Sequence, residues 1–440
     1  MSFKSLMLSE KLQKTIKELG YSTPTEIQKK AIPLLLERKD ILATSQTGTG
    51  KTATFVLPML ENLRDNCNIK TGDERYKVDA IILAPTRELV IQIHEKIKIY
   101  GKEFNHKSVA LYGGIKLGSQ VKEIRAGANI AVSTTARLLE HIKNRSINLS
   151  KVEMVVLDEA DKMLDMGFIS DIRAIISQTP KRIGDKRRHS VMFSATFPPK
   201  IAKLAKSFLD NPITIEIDRE NLSTKQVKQL VHYVKDEEKL LLLDKLISTN
   251  RWEQVLVFTN TKLQANIITD KLNESGIKTM AIHGDKSQGQ RVDALNRFKE
   301  KKISILVATD VAGRGIDIIN LPYVINFELP LKNEDYIHRI GRTGRANQSG
   351  QAVSLISKKE LEQLKEIEIL VNQKIEVIYI DGFENKIEEK IVKDKKKAKR
   401  GEKSNLKKAK ELADKMLKKD NNSSNSGKNS KRSPRNKRYF

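Results

Sequence analysis

The stretch Val155-Val156-Leu157-Asp158-Glu159-Ala160-Asp161 places three apolar residues directly before three closely spaced carboxylates. An apolar run of this kind predicts a buried strand of a parallel sheet. The carboxylates would then lie at the carboxyl end of the strand, where open α/β sheets bind ligands. Carboxylates with few other protein ligands suit Mg²⁺, which keeps its waters and meets a phosphate. Taken alone, the same residues fit a solvated acidic turn equally well.

A second short strand, Asp40–Thr44, leads into Ser45-Gln46-Thr47-Gly48-Thr49-Gly50-Lys51-Thr52, and a helical pattern continues from Ala53 to Leu63. This loop follows the phosphate-binding pattern G-x-x-x-x-G-K-[ST], except that Ser45 occupies the first glycine position. The structural alternative is a turn rich in Gly and Thr. The strand before the loop and the helix after it favour the phosphate-binding interpretation.

The residue types in this loop match its expected chemistry. Gly48 and Gly50 let backbone N–H groups approach phosphate oxygens. Lys51 can reach the β- and γ-phosphates, and the Thr52 hydroxyl can bind Mg²⁺. The positive end of the following helix points at the same anion. Together with the acidic strand end, the loop predicts a nucleoside triphosphatase.

Further motifs follow in order along the chain. They are Phe3, Gly20-Tyr21-Ser22-Thr23-Pro24-Thr25-Glu26-Ile27-Gln28, Ala84-Pro85-Thr86-Arg87-Glu88-Leu89, Gly113-Gly114, Ser194-Ala195-Thr196, His283-Gly284 with Gln288 and Arg291, Ala308-Thr309-Asp310-Val311-Ala312-Gly313-Arg314-Gly315-Ile316-Asp317, and His338-Arg339-Ile340-Gly341-Arg342-Thr343-Gly344-Arg345. Their order and spacing resemble the DEAD-box RNA helicases over about residues 1–380. The segments Asp165–Phe168 and Ile282–Gln288 are most similar to the bacterial RhlE-type subgroup.

Short β-branched runs alternate with longer helical patterns, which predicts an α/β fold with mostly parallel sheets. The expected strands are Ile41–Ala43, Val78–Leu83, Val109–Tyr112, Ile130–Ser133, Met154–Leu157, Ser190–Phe193, Gln254–Phe258, Thr279–Ile282, Ile303–Val307, Tyr323–Asn326 and Ala352–Ile356. We expect an ATP-binding domain over 1–217, a linker over 218–224 and a second domain over 225–380. The resemblance implies that both are RecA-like, with ATP and RNA bound across the cleft between them.

Charge is concentrated at the end of the chain. The 440 residues carry a net charge of +26, and residues 386–440 hold 21 Lys/Arg against 7 Asp/Glu, a net of +14. A polyanion is therefore the expected partner. This segment has too few apolar residues to pack a core, which predicts a disordered basic tail. The tail is expected to hold RNA without sequence preference, and the alternative is a tail that only aids solubility.

Other features of the composition restrict the compartment. Cys67 is the single cysteine, so no internal disulfide can form and a reducing compartment fits. The seven histidines show no metal-ligand spacing. No apolar run approaches the roughly 20 residues that span a bilayer, and we see no signal peptide. We expect a cytoplasmic protein without a membrane partner, acting as a monomer.

The resemblance assigns nucleotide contacts. A glutamine amide can pair with adenine N6 and N7 at once, and guanine inverts the hydrogen-bonding pattern at position 6. Gln28 is therefore expected to read adenine. Phe3 is expected to stack on the base. The alternatives are an exposed helix glutamine and a core phenylalanine. The full set of expected ATP contacts comprises Phe3, Gln28, Thr47, Gly48, Thr49, Gly50, Lys51, Thr52 and Asp317, with Thr52 and Asp158 holding Mg²⁺.

The resemblance also divides the catalytic work. Glu159 would orient or deprotonate the attacking water. Asp161 would tie its loop to Ser194 and Thr196 by hydrogen bonds, although Ser194-Ala195-Thr196 alone fits an ordinary strand-end turn. Lys51, Asp158, Glu159, Arg342 and Arg345 form the predicted catalytic set.

Arg342 and Arg345 would act as arginine fingers from the second domain, where they stabilise charge on the γ-phosphate. A basic surface helix that binds RNA phosphate is the alternative. His338, Arg339 and Asp317 would add supporting contacts in the closed cleft.

RNA contacts are implied at Thr86, Arg87, Gly113, Gly114, Arg137, Arg291, Thr309 and Gly313. Groups of these types suit phosphates and sugars, and contacts to the 2′-OH would select RNA over DNA. The family usually carries Thr-Pro-Gly-Arg where this chain has Thr134-Thr135-Ala136-Arg137. The arginine is kept, but the Pro-Gly geometry is lost, which leaves RNA bending by this loop open.

The predicted function is an RNA-stimulated ATPase that unwinds short RNA duplexes. Ribosome assembly and RNA decay are the expected pathways, with ribosomal precursors or RNA-decay assemblies as partners. A DNA translocase is a second hypothesis, against which stand the Gln28 segment and Asp161. A non-enzymatic RNA-binding protein is a third, and the presence of four residues argues against it: Lys51, Glu159, Arg342 and Arg345. Stimulation of ATP hydrolysis by RNA but not by DNA would distinguish the first two.

Overall fold

The computed structural model describes residues 2–44, 49–63, 76–183, 186–197, 199–216, 227–313, 318, 321–344 and 350–383. The predicted linker 218–224 and tail 386–440 lie outside the described residues, as do four predicted site residues, Thr47, Gly48, Asp317 and Arg345.

The first half of the chain builds one parallel sheet. Its strands are β1 (Ile41–Thr44), β2 (Ala80–Leu83), β3 (Ser108–Leu111), β4 (Ile130–Ser133), β5 (Met154–Leu157), β8 (His189–Ser194) and β9 (Ile213–Glu216), and a small hairpin joins β6 (Arg182–Ile183) to β7 (Lys186–Arg187). The strand order in the sheet is β3-β4-β2-β5-β8-β1-β9. The central strands are buried on both faces, which is why they read as continuous apolar runs.

Helices cover both faces of this sheet. They are α1 (Glu10–Glu18), α2 (Glu26–Leu36), α3 (Lys51–Asn62), α4 (Arg87–Tyr100), α5 (Leu117–Arg125), α6 (Thr135–Lys143), α7 (Ala160–Asp165), α8 (Ile169–Ser177) and α9 (Pro199–Phe208), preceded by a 3-10 turn at Phe3–Leu6. Two hydrophobic cores result, one on each face. Phe55 and Phe193 pack with ring centroids 5.5 Å apart in one core, and Met163 and Met192 lie in the other.

The second half repeats the arrangement. Its strands are β10 (Val227–Tyr233), β11 (Val255–Thr259), β12 (Thr279–Ile282), β13 (Ile305–Thr309), β14 (Tyr323–Asn326), β15 (Gly350–Ile356) and β16 (Glu376–Val377), in the parallel order β12-β13-β11-β14-β15-β10-β16. Its helices are α10 (Lys239–Asn250), α11 (Lys262–Glu274), α12 (Gln288–Lys299), α13 (Asp310–Gly313), α14 (Asn333–Ile340) and α15 (Leu361–Leu370), with 3-10 turns at Asp236–Glu238 and Lys358–Glu360.

The predicted α/β architecture of two parallel sheets is confirmed. All of the predicted strands occur, with ends displaced by no more than two residues. Five strands were not predicted: β9 and β16 at sheet edges, β10, and β6 and β7 of the small hairpin. β9 buries only Ile215 of its four residues, so no apolar run marks it in the sequence. Among the described residues, no helix has the length and apolar character needed to cross a bilayer.

Candidate active site

The order of the strands in the first sheet sorts the candidate residues into two groups. The loop before Lys51 follows β1, Ser194 ends β8, and Asp158 follows β5, and these three strands are neighbours. Thr86 follows β2 on the other side of β5, and β4 and β3 lie beyond it. Because parallel strands share one carboxyl edge, Lys51 and Asp158 lie along one part of this edge, and the RNA candidates of the first half of the chain lie along the other.

Gln28 supports the backbone of the phosphate loop. Its side chain and that of Thr25 form a capping box at the start of α2, with Thr25 N–H donating to Gln28 Oε1 at 2.9 Å. Its Nε2 donates to the Gly50 carbonyl at 3.2 Å. Gly50 has φ +90°, and a Cβ there would lie 2.5 Å from Gln28 Nε2, so glycine is required. Gln28 is therefore buried and is not the exposed helix glutamine of the structural alternative.

Lys51 begins α3, so the loop leads directly into a helix N-terminus that can face an anion. The Lys51 side chain is buried, and its charge acts on both Asp158 and Glu159. Thr52 in the next position is half-buried, and Thr49 lies in the bend before the helix. Phe3, by contrast, packs in the hydrophobic core with Leu6, and its predicted stacking on a base stays a prediction.

The two acidic residues at the end of β5 differ in environment. Glu159 has φ +53°, a strained conformation for a residue other than glycine, and its N–H donates to Asp158 Oδ1 at 2.9 Å. Burial raises the pKa of Asp158 to about 6 against the opposing charge of Lys51. Burial also acts to raise the pKa of Glu159, but the charges of Lys162 and Lys51 outweigh it and hold that pKa at about 2. Glu159 is therefore the more acidic member of the pair.

Lys162 is a residue that the sequence analysis missed. Its Nζ lies 2.8 Å from Glu159 Oε2, and both side chains are 4% exposed. Burial lowers the pKa of Lys162, although the charge of Glu159 opposes that shift. The signal was present in the sequence, because a cation three positions after Glu159 on a helix faces the same side.

Asp161 links the acidic turn to the end of β8. Its Oδ2 accepts hydrogen bonds from the Ala195 and Thr196 N–H groups at 3.0 and 2.9 Å, and from the Thr196 hydroxyl at 3.2 Å. Asp161 was also expected to bond to the Ser194 side chain. The Ser194 hydroxyl instead donates to the Thr196 carbonyl at 2.6 Å. Asp161 therefore holds the backbone after Ser194 and not its side chain.

Arg342 of the second half of the chain approaches this acidic site. It is 3% exposed, and its charge lowers the pKa of both Glu159 and Lys162. His338, one helical turn before it, is half-buried. The structure thus brings Lys51, Asp158, Glu159 and Arg342 together, although they come from distant parts of the chain.

Arg339 differs from its expected role as a contact in the cleft. Its five N–H donors bind Asp310 Oδ1 and Oδ2 at 2.6 and 2.7 Å, the Glu328 carbonyl at 2.6 Å, and the side chains of Asn260 and Asn326 at 3.0 and 3.3 Å. A guanidinium has five donors, so these bonds within the second half of the chain occupy all of them. Arg339 is 1% exposed and fixes Asp310 after β13. Its influence on the cleft is therefore indirect.

The first group of predicted RNA residues forms one connected surface. The Thr86 hydroxyl accepts from Leu89 N–H at 3.3 Å and caps α4. Arg87 lies against the turn after β3, since a Cβ on Gly114 would be 2.4 Å from Arg87 Nη1 and one on Gly113 would be 3.3 Å from Nη2. Gly114 also has φ +90°, so both backbone conformation and space require glycine there.

Arg137 is held in place from several sides. Its Nη1 and Nη2 donate to the Ile115 carbonyl at 3.2 Å, its Nη1 donates to Gln120 Oε1 at 3.3 Å, and its Nε lies 3.1 Å from Glu140 Oε2. Thr135 is the first residue of α6, a position that proline also favours. The change from the family's Pro-Gly thus leaves Arg137 in the first turn of an ordinary helix.

The second group of predicted RNA residues is less uniform. Arg291 Nη2 lies 3.0 Å from Glu88 Oε1 of the first half, and Gln288 Nε2 donates to the same oxygen at 3.3 Å. Thr309 is buried at the end of β13. A Cβ on Gly313 would lie 2.5 Å from the Phe258 ring, which gives this glycine a packing role. Glu88 belongs to the motif Ala84–Leu89, and its role as the partner of Arg291 was not predicted.

Comparison with known proteins agrees with this arrangement. Residues 25–204 match the DEAD/DEAH box helicase family model, and residues 238–347 match the helicase conserved C-terminal domain. The chain is 38% identical over 387 residues to the DEAD-box ATP-dependent RNA helicase RhpA of Helicobacter pylori, covering 88% of this chain and 76% of that protein. It is 39% identical to CshA of Bacillus subtilis, a DEAD-box ATP-dependent RNA helicase, over 85% of this chain and 73% of that one.

Among solved structures, S. cerevisiae Dbp5 bound to RNA and ADP BeF3 matches with a TM-score of 0.76 and 32% identity, over 89% of this chain and 99% of that one. This match extends over both sheets, which identifies them as two tandem RecA-like domains. The chain therefore belongs to the DEAD-box family of ATP-dependent RNA helicases.

Proposed function

We propose that ATP is bound and hydrolysed where Lys51, Asp158, Glu159 and Arg342 meet. The observation that carries this proposal is the burial of a second-domain arginine close enough to the acidic site for its charge to lower the pKa of Glu159. In these roles Lys51 binds the β- and γ-phosphates, Glu159 orients or deprotonates the attacking water, and Arg342 with Arg345 stabilises the γ-phosphoryl charge. Gln28 reads adenine, while Thr47, Gly48, Thr49, Gly50 and Asp317 complete the nucleotide contacts.

Mg²⁺ fits beside Asp158 and Thr52. The Asp158 carboxylate is buried beside Lys51, and its raised pKa indicates a site that favours added positive charge. Among the described residues no group of three His, Cys, Asp or Glu side chains could hold a metal ion, so water and phosphate oxygens would supply the remaining ligands. Bound there, Mg²⁺ would neutralise charge on the phosphates.

RNA is proposed to run along the carboxyl edge of the first sheet past Thr86, Arg87, Gly113, Gly114 and Arg137. It would continue along the second domain past Thr309 and Gly313. Arg291 serves this surface by closing the two domains through Glu88. Asp161, Thr196 and Ser194 would transmit nucleotide state to the RNA surface, with His338 and Arg339 supporting the second domain.

We further propose a monomeric cytoplasmic enzyme of the RhlE-type subgroup, with its domains over 1–217 and 225–380, that acts in ribosome assembly or RNA decay. The resemblance of the Asp165–Phe168 and Ile282–Gln288 segments supports the subgroup. Crosslinking the cellular RNAs that a Glu159→Gln variant retains would identify the pathway, since arrested hydrolysis should keep RNA bound. If neither ribosomal precursors nor decaying messages were recovered, the proposed pathways would be contradicted.

The catalytic assignment predicts distinct effects of three substitutions. Lys51→Ala should abolish ATP hydrolysis, whereas Arg342→Ala or Arg345→Ala should lower kcat by about 10³-fold or more and preserve ATP binding. Arg297→Ala is the control, because that side chain is exposed and pairs with Asp293 on the same helix at 3.0 Å. Turnover is measured at saturating RNA, with DNA in parallel. Near-normal turnover in an arginine variant would remove that residue from the catalytic set.

A further inference from the structure

A basic cavity lies at the edge of the second sheet that faces away from the ATP site. It has a volume of about 640 Å³ and is lined by Ser248, Arg251, Lys278, Lys301, Lys302 and Ser304, among others. Arg251 lies before β11, Lys278 before β12, and Lys301 before β13, and these three strands are neighbours in the sheet. The lining residues therefore come together at the amino ends of the strands, whereas the ATP and RNA residues follow the carboxyl ends.

The cations of this cavity are largely unbalanced. Arg251, Lys278 and Lys301 are exposed, and none of them makes an ion pair with a described residue. Lys302 pairs with Glu300 at 2.6 Å, and Glu253 is the one carboxylate in the lining. Positive charges gathered in one cavity repel each other, and such a cluster attracts anions.

Stabilisation of helix ends explains only part of this charge. Arg251 follows α10 with φ +49°, and Lys301 follows α12 with φ +57°, so both occupy left-handed positions where cations complement the helix dipole. The equivalent residue after α2, Arg38, is paired with Glu153 at 3.1 Å. Lys278 directly precedes β12 and does not occupy such a position after a helix end. The cluster thus exceeds what the local fold requires.

We propose that this cavity, formed around Arg251, Lys278 and Lys301, is a second RNA-binding site that holds the phosphate backbone of RNA flanking the catalytic cleft. The inference rests on RNA being the substrate of the proposed active site. Lysine, arginine and serine hydroxyl groups are the side chains that contact phosphates. Trp252 stacks on Tyr323 with ring centroids 4.4 Å apart, so it supports the loop and is not available to stack on a base. The site therefore binds RNA without sequence preference.

The test compares two triple variants of the full-length chain. The first replaces Arg251, Lys278 and Lys301 with glutamine. The matched control replaces Lys228, Lys271 and Lys359, which lie on the same domain, are exposed, and pair with carboxylates. Both variants lose three positive charges and keep the tail. Binding of a long RNA and of a short RNA that fills only the cleft is measured over a salt series.

For the long RNA, the first variant should bind more weakly, and its slope of log affinity against log salt should fall by about 0.7 for each lost phosphate contact, about 2 in total. The control and the short RNA should show little change, and ATP hydrolysis at saturating short RNA should stay normal in both variants. Equal binding of long RNA by the two variants would overturn the proposal. Evidence that this cavity binds an acidic protein and not RNA would also overturn it. If no RNA stimulated ATP hydrolysis by the wild-type enzyme, the proposed function would be contradicted instead.

Discussion

At the scale of single residues, several side chains serve both the fold and the site. Gln28 caps α2 through Thr25 and also holds the Gly50 carbonyl. Asp161 gathers three hydrogen bonds on one carboxylate oxygen. Such residues cannot be exchanged without moving the backbone that they fix, so their effects on activity must be separated from effects on stability.

Gln28→Ala should reduce discrimination between ATP and GTP. A paired base readout contributes about 1–3 kcal/mol, so wild type should prefer ATP by roughly 5- to 150-fold and the variant should approach equal use. The measurement is kcat/KM for both nucleotides with RNA present. Gln290→Ala is the matched control, because Gln290 forms the same capping box with Ser287 but in α12. Equal use of ATP and GTP by the wild type would contradict the assignment.

At the scale of elements, the loops that follow β3 and β4 are joined by one buried glutamine on α5. Gln120 Nε2 donates to the Tyr112 carbonyl at 3.0 Å, just before Gly113, while its Oε1 accepts from Arg137. His141 Nε2 lies 2.9 Å from the same Oε1, and Ser146 Oγ lies 2.8 Å from His141 Nδ1. Burial lowers the pKa of His141 to about 4, so this histidine is neutral at pH 7. The network connects two parts of the predicted RNA surface.

Gln120→Ala should raise the RNA concentration needed for half-maximal ATP hydrolysis and leave the KM for ATP unchanged, because Arg137 loses a partner that positions it. Unpaired buried groups should also lower the free energy of unfolding by about 1–3 kcal/mol. Ser146→Ala removes the other partner of His141 and leaves the Gln120–Arg137 bond intact, so it should reproduce the loss of stability only. The same RNA dependence in both variants would show that Gln120 has no positioning role.

At the scale of the whole molecule, the two domains touch through charged side chains, and the described residues include two ion pairs between them, Glu88–Arg291 and Asp165–Lys332. Glu88 and Arg291 are 4% and 10% exposed, whereas Asp165 and Lys332, 2.7 Å apart, are 34% and 52% exposed. Removing one partner of a buried pair leaves an uncompensated charge and costs about 3–5 kcal/mol, while an exposed pair contributes about 0–1 kcal/mol. The first pair should therefore dominate the stability of the closed arrangement.

Glu88→Ala should weaken domain closure and lower RNA-stimulated kcat, whereas Asp165→Ala should have little effect. Closure can be followed by energy transfer between dyes on the two domains, with RNA and a non-hydrolysable ATP analogue present. The combined change Glu88→Arg with Arg291→Glu should restore part of the closure, since the pair is re-formed with its charges exchanged. Normal closure in Glu88→Ala would mean that other contacts hold the domains together.

The class of fold followed from residue pattern, and most candidate site residues followed from motifs and from the resemblance to the family. Alternating apolar strands and helical patterns predicted two parallel sheets, because strands covered on both faces must be apolar throughout. Lys51 and Asp158 were marked by the phosphate-loop pattern and by an acidic strand end, whereas Arg342 was suggested by the resemblance to the family. Edge strands such as β9 escaped detection because they bury too little to carry that pattern.

The partners of these residues became apparent only in the folded chain. Arg291 pairs with Glu88, Lys162 with Glu159, and Arg339 uses all of its donors within its own domain. A side chain's partners depend on which strands become neighbours, and strand order is a property of the sheet that residue spacing does not encode. The same reason explains the basic cavity, whose cations are far apart in the chain and meet only where β11, β12 and β13 begin side by side.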